Sequence, residues 1–383
     1  MKEQTESAAT GRIIGLDLHP DVFSAAALSG RDAATAKPTQ QWDRLATAQL
    51  EGWAKTLVAG DLVVLEASGN SFESCERLQR CGVATIVLES QRAGQIRKTY
   101  CANDRADAVK LARIYLSGLA HPVWQPDATT RERREVLHAY RKAVTTATRT
   151  RNRLKPGVRL VQASGQKTVR ASRAWSALQL VLVEQMLAEL KLADERRGQL
   201  AAVMAQEVAA DPKLLRQVRL LGVRHIIAFA VAAVVGDIAR FANPKKLVAY
   251  LGLAPTVDQS GNGPRGQQAL VTFGRGDLRA LLTQSAQNAL NQRSSPLHTW
   301  GWKLCRRKGH KNVAIIAIAR KLTVSIWYLL RGLFTPLKQV EASLQVKLAK
   351  IATAIGVKTI RHLGYKSKTA FIEEKTQWLL NPA

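Results

Sequence analysis

Hydrophobic and polar residues alternate in short runs over the first third of the chain, and this pattern predicts an α/β domain. Residues 12–18 (RIIGLDL) and 22–28 (VFSAAAL) are apolar runs separated by a His-Pro-Asp turn, which indicates a β-hairpin. Three further segments follow in the order strand, helix and strand: residues 61–69, 71–82 and 83–90. A strand, a helix and a strand in succession imply a parallel pair of strands within one sheet.

A helical pattern replaces this alternation after the polar, proline-bearing segment 121–130. Apolar side chains at three- and four-residue spacing, surrounded by arginines, predict a long basic amphipathic helix over residues 131–154. A second helical stretch runs from about 174 to 209, with an apolar seam of Leu180, Val183, Leu187 and Leu190. The two stretches predict either a helical hairpin within the chain or an oligomerising coiled coil, although Asp194 and Arg197 interrupt the seam.

From about Asp211 onward the pattern is again mostly helical. Residues 218–241 resemble a helix–turn–helix unit whose turn at Gly222 can offer backbone N–H groups to a phosphate, and a plain helical turn is the alternative. Residues 311–334 predict a long, largely buried helix. The last segment, residues 336–383, carries many lysines and little periodicity, which predicts an irregular basic tail.

These patterns divide the chain into four predicted parts: an α/β domain at residues 1–125, a basic helical linker or coiled coil at 126–210, a mainly α-helical domain at 211–335 and a basic C-terminal tail at 336–383. The apolar run at 226–235 is far shorter than the roughly 20 residues that a membrane span needs. The N-terminus lacks the apolar core of a signal peptide. We therefore expect a cytoplasmic protein without a membrane span, whose four cysteines are reduced structural thiols.

Charge changes this picture, because it is distributed very unevenly. The 383 residues carry 57 Lys and Arg against 29 Asp and Glu, a net charge of +28. Residues 1–125 hold 14 basic and 14 acidic side chains, residues 126–210 hold 16 and 8, and residues 211–383 hold 27 and 7. Lys and Arg that neutralise phosphates release condensed counterions, so a neutral front and a strongly basic rear favour a nucleic-acid partner. A charge that merely keeps the protein soluble is the alternative.

Four carboxylates in the neutral third form a candidate metal site. Asp17 and Glu66 each end a predicted strand, and Asp104 and Asp107 fall three residues apart on one face of a predicted helix. Oxygen ligands in such an arrangement suit Mg²⁺, and two such ions can stabilise the attacking and leaving oxygens of phosphoryl transfer. Taken singly, Asp17 can be a turn residue and Asp104 a helix cap. Glu66 fits such a structural role least, because it follows a buried apolar run and an unpaired carboxylate there is costly.

Residues 250–287 contain a polar loop rich in glycine that holds a candidate nucleophile, Ser260. Glycines let a backbone pass close to a ligand, and Arg265, Arg275 and Arg279 can meet phosphate oxygens. A serine hydroxyl in this setting can attack a phosphodiester and hold a DNA end covalently. The alternative is a Ser-Gly turn that only reverses the chain.

The order of these pieces resembles one known family. The segments GLDLHPD, VVLEASGN and NDRADAVKLA look like the three blocks of a RuvC-like DEDD domain. The segment from LLGVRHIIAFAVAAVVGDIARF to LAPTVDQSG, followed by FGRGDLRALL, looks like a C-terminal transposase domain. This ordered set is similar to the DEDD transposases of bacterial insertion sequences, the IS-one-hundred-ten group, also called bridge recombinases.

The resemblance implies an RNase H-like (RuvC-like) N-terminal domain, in which Asp17, Glu66, Asp104 and Asp107 bind Mg²⁺, and a transposase domain in which Ser260 forms a phosphoserine link to DNA. It implies donor and target DNA as substrates, a noncoding guide (bridge) RNA that pairs with both, and a homo-oligomer, either a dimer or a tetramer, working at the bacterial nucleoid. Relatives commonly carry a Gly-x-Gly turn where Gly222 is followed here by Val223 and Arg224, so Arg224 would supply a side-chain contact instead.

The candidate nucleic-acid contacts are arginines of the basic helix and of the third segment. They are Arg131, Arg134, Arg141, Arg149, Arg153, Arg224, Arg265, Arg275 and Arg279. Two other functions compete with recombination: a two-metal DNA nuclease or junction resolvase in which Ser260 is structural, and a non-catalytic protein that binds RNA or DNA. The latter explains the charge but not Glu66.

Overall fold

The computed structural model describes residues 11–30, 32–90, 104–155, 158–163, 166–171, 176–255, 270–271, 274–293, 295–333 and 341–380. Side chains at 104–105, 158–171 and 341–342 lie outside that description. The chain divides into two compact units, Met1–Gln125 and Pro126–Ala383. The first unit contains a mixed sheet with helices, and the second is mainly helical, so the predicted α/β front and helical rear are confirmed at this level.

The first unit contains a five-stranded sheet in the order β3-β2-β1-β4-β5. Its elements are β1 Ile13–Leu18, β2 Val22–Ser29, β3 Lys37–Ala46, α1 Leu50–Ala54, β4 Leu62–Glu66, α2 Ser71–Arg80, β5 Ala84–Leu88 and α3 Asp104–Leu116. Strands β1 and β2 form the predicted antiparallel hairpin, and β4 pairs in parallel with both β1 and β5. Strand β3 was not predicted, because its sequence KPTQQWDRLA is mostly polar and exposed and lacks the alternation that marks a half-buried strand.

Alternating side chains of the sheet form two separate cores. Ile14, Leu16 and Val63 pack on the face covered by α1 and α2, together with Trp53. Ile13 and Val64 pack on the opposite face against Ala108 and Ala112 of α3. This two-sided burial explains why β1 and β4 read as nearly continuous apolar runs in the sequence. Of the four cysteines, Cys75, Cys81 and Cys305 are free thiols, and Cys101 lies outside the described residues.

An ion pair joins the starts of the two central strands. The Arg12 guanidinium donates from Nε to Asp61 Oδ1 at 3.1 Å and from Nη2 to Asp61 Oδ2 at 2.7 Å. Backbone N–H groups of Arg12 and Val58 also donate to this carboxylate, which is almost fully buried. Burial alone would raise the pKa of Asp61, but these hydrogen bonds outweigh it and hold the pKa below its usual value.

We expect Asp61→Asn to destabilise the protein by about 2–3 kcal/mol, because an amide cannot accept all four hydrogen bonds and leaves Arg12 without its counterion. The loss is below that of a fully buried pair, since the Arg12 side chain is 25% exposed. Because the folded pKa of Asp61 is lowered, the ion pair stabilises the fold above the unfolded pKa of about 4. The difference between wild type and Asp61→Asn should therefore shrink as pH falls below 4 in urea titrations. Asp21→Asn, in the exposed β1–β2 turn, should change stability little at any pH.

The second unit begins with a helical hairpin. Helix α4 (Ala128–Leu154) and helix α5 (Ala177–Ala210) are antiparallel, because Arg133 pairs with Glu207 at 2.6 Å and Arg151 pairs with Asp194 at 2.6 Å. Of the two predicted arrangements, the structure shows the hairpin within the chain. Asp194, which was predicted to interrupt the apolar seam, forms an ion pair with Arg151 that joins the two helices.

A short hairpin of β6 (Val158–Ala163) and β7 (Gln166–Ala171) connects the two long helices. It was not predicted from the sequence, since only helices were predicted on either side of residues 155–173. The alternation of VRLVQA and QKTVRA about the intervening Ser-Gly is the signal that could have found it.

The remaining helices of the second unit surround one large core. They are α6 Pro212–Arg216, α7 His225–Val235, α8 Pro244–Tyr250, α9 Gly276–Asn291, α10 Pro296–Lys308, α11 Lys311–Leu330, α12 Glu341–His362 and α13 Lys368–Leu380, with α12 broken at Gly356. By length and composition α11 could cross a membrane, but half of its most apolar window is buried inside the protein. Its buried face, which includes Ala314, Ile318 and Leu322, is that of a core helix, as the sequence predicted.

Two expectations about this unit need correction. The predicted helix–turn–helix at 218–241 is present only in part, because the first helix lies earlier, in α6 and the 3-10 turn Gln217–Arg219. The predicted irregular tail is instead two helices, and Leu348, Ile351 and Phe371 join the core. Lys347 is also buried, and its Nζ donates to the carbonyls of Val218 and Leu220 at 2.7 and 2.8 Å. A count of charged residues therefore did not reveal the apolar face of this helix, since it treats a buried lysine such as Lys347 as exposed.

Candidate functional site

Two of the predicted metal ligands, Asp17 and Glu66, lie at the same end of two neighbouring strands in the middle of the sheet. The parallel register of β1 and β4 pairs Leu16 with Leu65, so Asp17 and Glu66, the next residues along, end neighbouring strands at the same level. Residues in register on parallel strands point to the same face. That face is the one on which Ile13, Val64 and α3 pack.

Helix α3 places its first turn at this same edge. Gly15 lies directly beneath the backbone of Ala108, so close that a Cβ at Gly15 would collide with the Ala108 carbonyl. Arg113, farther along α3, reaches the carbonyl of Ala36, which lies beside the opposite end of β1. The helix therefore runs antiparallel to β1, and its beginning, which contains Asp104 and Asp107, lies toward the strand end occupied by Asp17.

The three described carboxylates have protein neighbours of their own. Asp17 Oδ2 lies 3.4 Å from His19 Nε2, and Asp107 Oδ1 accepts a hydrogen bond from Lys110 Nζ at 3.0 Å. Within the described residues, no three His, Cys, Asp or Glu side chains are close enough together to hold a metal ion. The Asp104 side chain lies outside that description. An all-carboxylate donor set at one sheet edge nonetheless has the chemistry that Mg²⁺ prefers.

Ser260 and Arg265 lie outside the described residues, but the residues on both sides of the loop that carries them lie within the described part. Pro255 and Leu270 form an isolated antiparallel bridge, and the Val271 N–H donates to the Ala254 carbonyl at 3.3 Å. The fourteen residues between the bridge partners therefore leave and return at one point of the second unit.

Half-buried arginine side chains hold this loop base in place. Arg279 Nη1 donates to the carbonyls of Gly252 and Val271 at 3.2 and 3.0 Å, one on each side of the loop. Arg320 Nε donates to the Leu253 carbonyl at 2.6 Å. Arg275 forms a two-point ion pair with Asp277 at 3.1 and 2.6 Å. Arg275 and Arg279 were predicted to contact phosphates; their guanidinium groups have these protein acceptors, and the phosphate contact stays a prediction.

The predicted arginines of the basic helix differ in exposure. Arg141, Arg149 and Arg153 of α4 are exposed, and the last two line an open groove with Val144, Thr145, Thr148 and Asn152. Arg131 is half-buried, and Arg134 donates from Nε to the Ala233 carbonyl at 2.9 Å. Three of the five arginines thus present their charge directly to solvent.

Sequence reasoning missed a basic and aromatic surface on α10. Trp300 is 37% exposed and lies under Lys321 Nζ, 4.6 Å from the ring centroid, while Lys311 Nζ lies 5.8 Å from the Trp302 ring. A groove of about 590 Å³ beside them is lined by Asn291, Arg293, His298, Thr299, Trp302, Lys303 and Arg306. The sequence HTWGWKLCRRKGHK carries the signal, since aromatic rings among basic side chains are typical of single-stranded nucleic-acid contacts.

Comparison with known proteins agrees with this organisation. The model of the transposase IS116/IS110/IS902 family matches residues 215–299, which include the loop base and the start of α10. A transposase for the insertion sequence element IS1111A of Coxiella burnetii is 26% identical over 357 residues, covering 86% of this chain and 92% of that protein. A "Probable family 20 transposase" of Pseudomonas aeruginosa is 25% identical over 342 residues, covering 83% and 96%.

The match to the helical unit, and the similarity that extends over both units, define the chain as a DNA transposase. Residues 215–299 resemble the IS116/IS110/IS902 family of these enzymes, and the transposases that are similar over both units are 25–26% identical to this chain. The resemblance read from the ordered sequence blocks is thereby confirmed for the family. The roles of the individual site residues stay predictions.

Proposed function

We propose that this transposase is a serine recombinase that moves its own insertion sequence by forming a covalent phosphoserine link between Ser260 and DNA. Two observations carry the proposal: residues 215–299, which include the Ser260 loop, match a transposase family, and Asp17, Glu66 and the first turn of α3 lie at the same end of the central strands. A DNA transposase can use such carboxylates to bind metal ions beside a phosphodiester, whereas a sheet with only a structural role does not need them.

In this proposal the first unit is an RNase H-like, RuvC-like domain. Asp17, Glu66, Asp104 and Asp107 would together hold Mg²⁺, because their carboxylate oxygens match the ligand preference of that ion. When bound, Mg²⁺ supplies positive charge that stabilises the charge developing on phosphate oxygens. The protein itself holds the four carboxylates on two adjacent strands and one helix. The packing of the sheet beneath them offsets the repulsion between their negative charges.

The chemistry at Ser260 consists of two exchanges at phosphorus. The Ser260 hydroxyl oxygen bonds to a DNA phosphorus, the bond from that phosphorus to a deoxyribose oxygen breaks, and the leaving oxygen takes a proton. A deoxyribose hydroxyl of the other strand then attacks the phosphoserine and restores the serine hydroxyl. The bond energy is conserved throughout, which allows rejoining without an external energy source. Arg279 and Arg320 act as positioning residues, because they fix the two sides of the loop base.

Two exposed basic surfaces support nucleic acid as the partner. One is the row of Arg141, Arg149 and Arg153 on α4, and the other is the basic and aromatic surface of α10. We propose that they hold donor and target DNA together with a noncoding bridge RNA. At the start of α5, Leu178 and Val181 are 80% and 53% exposed, which supports assembly into a dimer or tetramer. The protein would then act on DNA in the bacterial nucleoid.

The proposal is tested by purifying the full chain from cells that carry its complete insertion sequence and sequencing the RNA that copurifies. We expect one RNA encoded beside the gene, with separate segments complementary to the donor and to the target. Digesting that RNA should stop strand exchange between donor and target plasmids, and adding back the transcribed RNA should restore it. Exchange that continues at the same site after RNase treatment would rule out guidance by RNA.

A further inference from the structure

The groove of about 590 Å³ on the second unit, formed by the end of α9, the loop after it and α10, is lined by the Trp302 ring. Its volume falls within the range of about 300–1,000 Å³ that is typical of small-ligand sites. The other described lining residues are polar or basic, and no Asp or Glu is among them. They are Asn291, Arg293, His298, Thr299, Lys303 and Arg306. The groove, called the α10 groove below, therefore places an indole ring beside three cationic side chains.

The Trp302 ring is held in one orientation by its own hydrogen bond. Its Nε1–H donates to the Leu290 carbonyl at 3.2 Å, and His298 Nδ1 lies 2.7 Å from the same carbonyl. The His298 and Trp302 rings are 6.4 Å apart at their centroids and inclined at 61°. Trp302 is only half-buried, so part of the ring is open to the groove. Because its single N–H is already bonded, the ring can contact a ligand through stacking but not through a further hydrogen bond.

The sequence around this ring is strongly basic. Residues 278–340, which contain α10 and α11, hold eleven Lys and Arg and no Asp or Glu. Arg293, Lys303 and Arg306 are exposed in the α10 groove. Lys311 Nζ lies 5.8 Å from the ring centroid, near the limit of a cation–π contact, and its exposed, flexible stem lets the ammonium move to a phosphate. A polyanion relieves the mutual repulsion of these charges, so the groove favours a ligand that is both planar and anionic.

A nucleotide is planar and anionic, but only an unpaired one can use both properties here. In a duplex each base is stacked between its neighbours, and only its edges reach a protein through the grooves. In a single strand the face of the base is open to an aromatic side chain, while the phosphates next to it meet basic residues. The ring and two of the cations lie on one face of α10, at the positions of Trp302, Lys303 and Arg306. This arrangement matches a single strand better than a duplex.

We propose that the α10 groove binds an unpaired nucleotide of a single-stranded nucleic acid, with its base stacked on Trp302 and its phosphates contacted by Arg293, Lys303 and Arg306. The proposal rests on the proposed function, which brings DNA and RNA to the protein, and it specifies which part of them this groove takes. Strand exchange opens a DNA duplex, and a guide RNA presents unpaired bases before it pairs, so either polymer can supply the strand. The role of Trp302 is binding, and no bond to it is made or broken.

The test compares wild type with Trp302→Leu in the full chain, cleared of bound RNA by nuclease, using oligo(dT), oligo(U) and a DNA duplex of matched length as probes. Affinity for the single strands should fall about tenfold, as for the loss of one stacked base, while affinity for the duplex stays near that of wild type. The slope of log affinity against log salt should not change, because leucine removes no charge. Trp302→Phe keeps a ring and should retain most of the affinity. Trp300→Leu, the same change on the same helix outside the groove lining, is the matched control and should bind as wild type does.

Arg306→Gln provides a second variant, at an exposed position whose change requires no repacking. It should weaken single-strand binding and reduce the salt slope by about one. Loss of oligo(dT) binding alone or of oligo(U) binding alone in Trp302→Leu would support the proposal and identify the strand. Unchanged single-strand affinity in folded Trp302→Leu, an equal loss for the duplex, or an equal loss in Trp300→Leu would overturn it. Strand exchange is not measured here, so that failure would leave the Ser260 chemistry standing, and a failure of the Ser260 chemistry would leave the groove result standing.

Discussion

Replacing Ser260 by alanine should abolish strand exchange and covalent DNA capture together. The proposed reaction passes through a phosphoserine, so removing the only oxygen that can form it removes the pathway and should lower the rate by a factor on the order of 10⁴–10⁶. A plasmid exchange assay measures the first effect, and retention of labelled DNA on denatured protein measures the second. Affinity for RNA and DNA should stay near that of wild type, because the substitution removes no charge.

Two further variants make the Ser260 result interpretable. Ser325→Ala, on the core helix α11, should exchange strands at the wild-type rate. Arg279→Ala should reduce exchange by about 10²-fold without eliminating it, because a loop base that loses two hydrogen bonds misplaces the nucleophile. Strand exchange that persists in Ser260→Ala would instead favour a two-metal nuclease or resolvase, in which hydrolysis at the acidic edge does the cutting.

Glu66→Gln should lower strand exchange by about 10²–10³-fold or more, while leaving the protein folded. The amide keeps the shape of the carboxylate but lacks the charge that a hard cation requires. Glu73→Gln, in the exposed first turn of α2, should have no such effect.

Metal dependence of stability separates the role of Glu66 in binding from a role in folding. Mg²⁺ should raise the unfolding temperature of wild type, since it relieves the repulsion among Asp17, Glu66 and the acidic turn of α3. Glu66→Gln should be at least as stable as wild type in EDTA and should gain much less stability from Mg²⁺. Equal Mg²⁺ stabilisation in both proteins would contradict a metal-binding role for Glu66.

Sequence patterns were sufficient for the elements whose burial is uniform. Strands β1 and β4 are buried on both faces and helix α4 is amphipathic, so apolar runs and helical spacing predicted these three elements. The parallel pairing of β1 with β4, which sets Asp17 beside Glu66, was not predicted. The polar edge strand β3 and the hairpin β6–β7 were missed, because strands with little buried surface depend on their partners rather than on a periodic pattern.

The side-chain partners could not be predicted, since they depend on tertiary contacts. Asp194 looked like a break in a seam and instead pairs with Arg151 on the neighbouring helix. Arg275 and Arg279 were predicted to contact phosphates, and the sequence did not indicate that they also bind Asp277 and the loop base. For Asp194 and Arg279, the partner comes from another element of the fold, which the local sequence does not reveal.

The central claim is that Ser260 becomes bonded to DNA, and mass spectrometry of the trapped complex tests it most directly. Tryptic cleavage after Lys246 and Arg265 releases residues 247–265, in which Ser260 is the only serine. After nuclease digestion of protein trapped on donor DNA with its RNA, this peptide should carry one nucleotide through a phosphate on Ser260. A nucleotide attached to any other residue, or strand exchange with no nucleotide attached to the protein, would contradict the account.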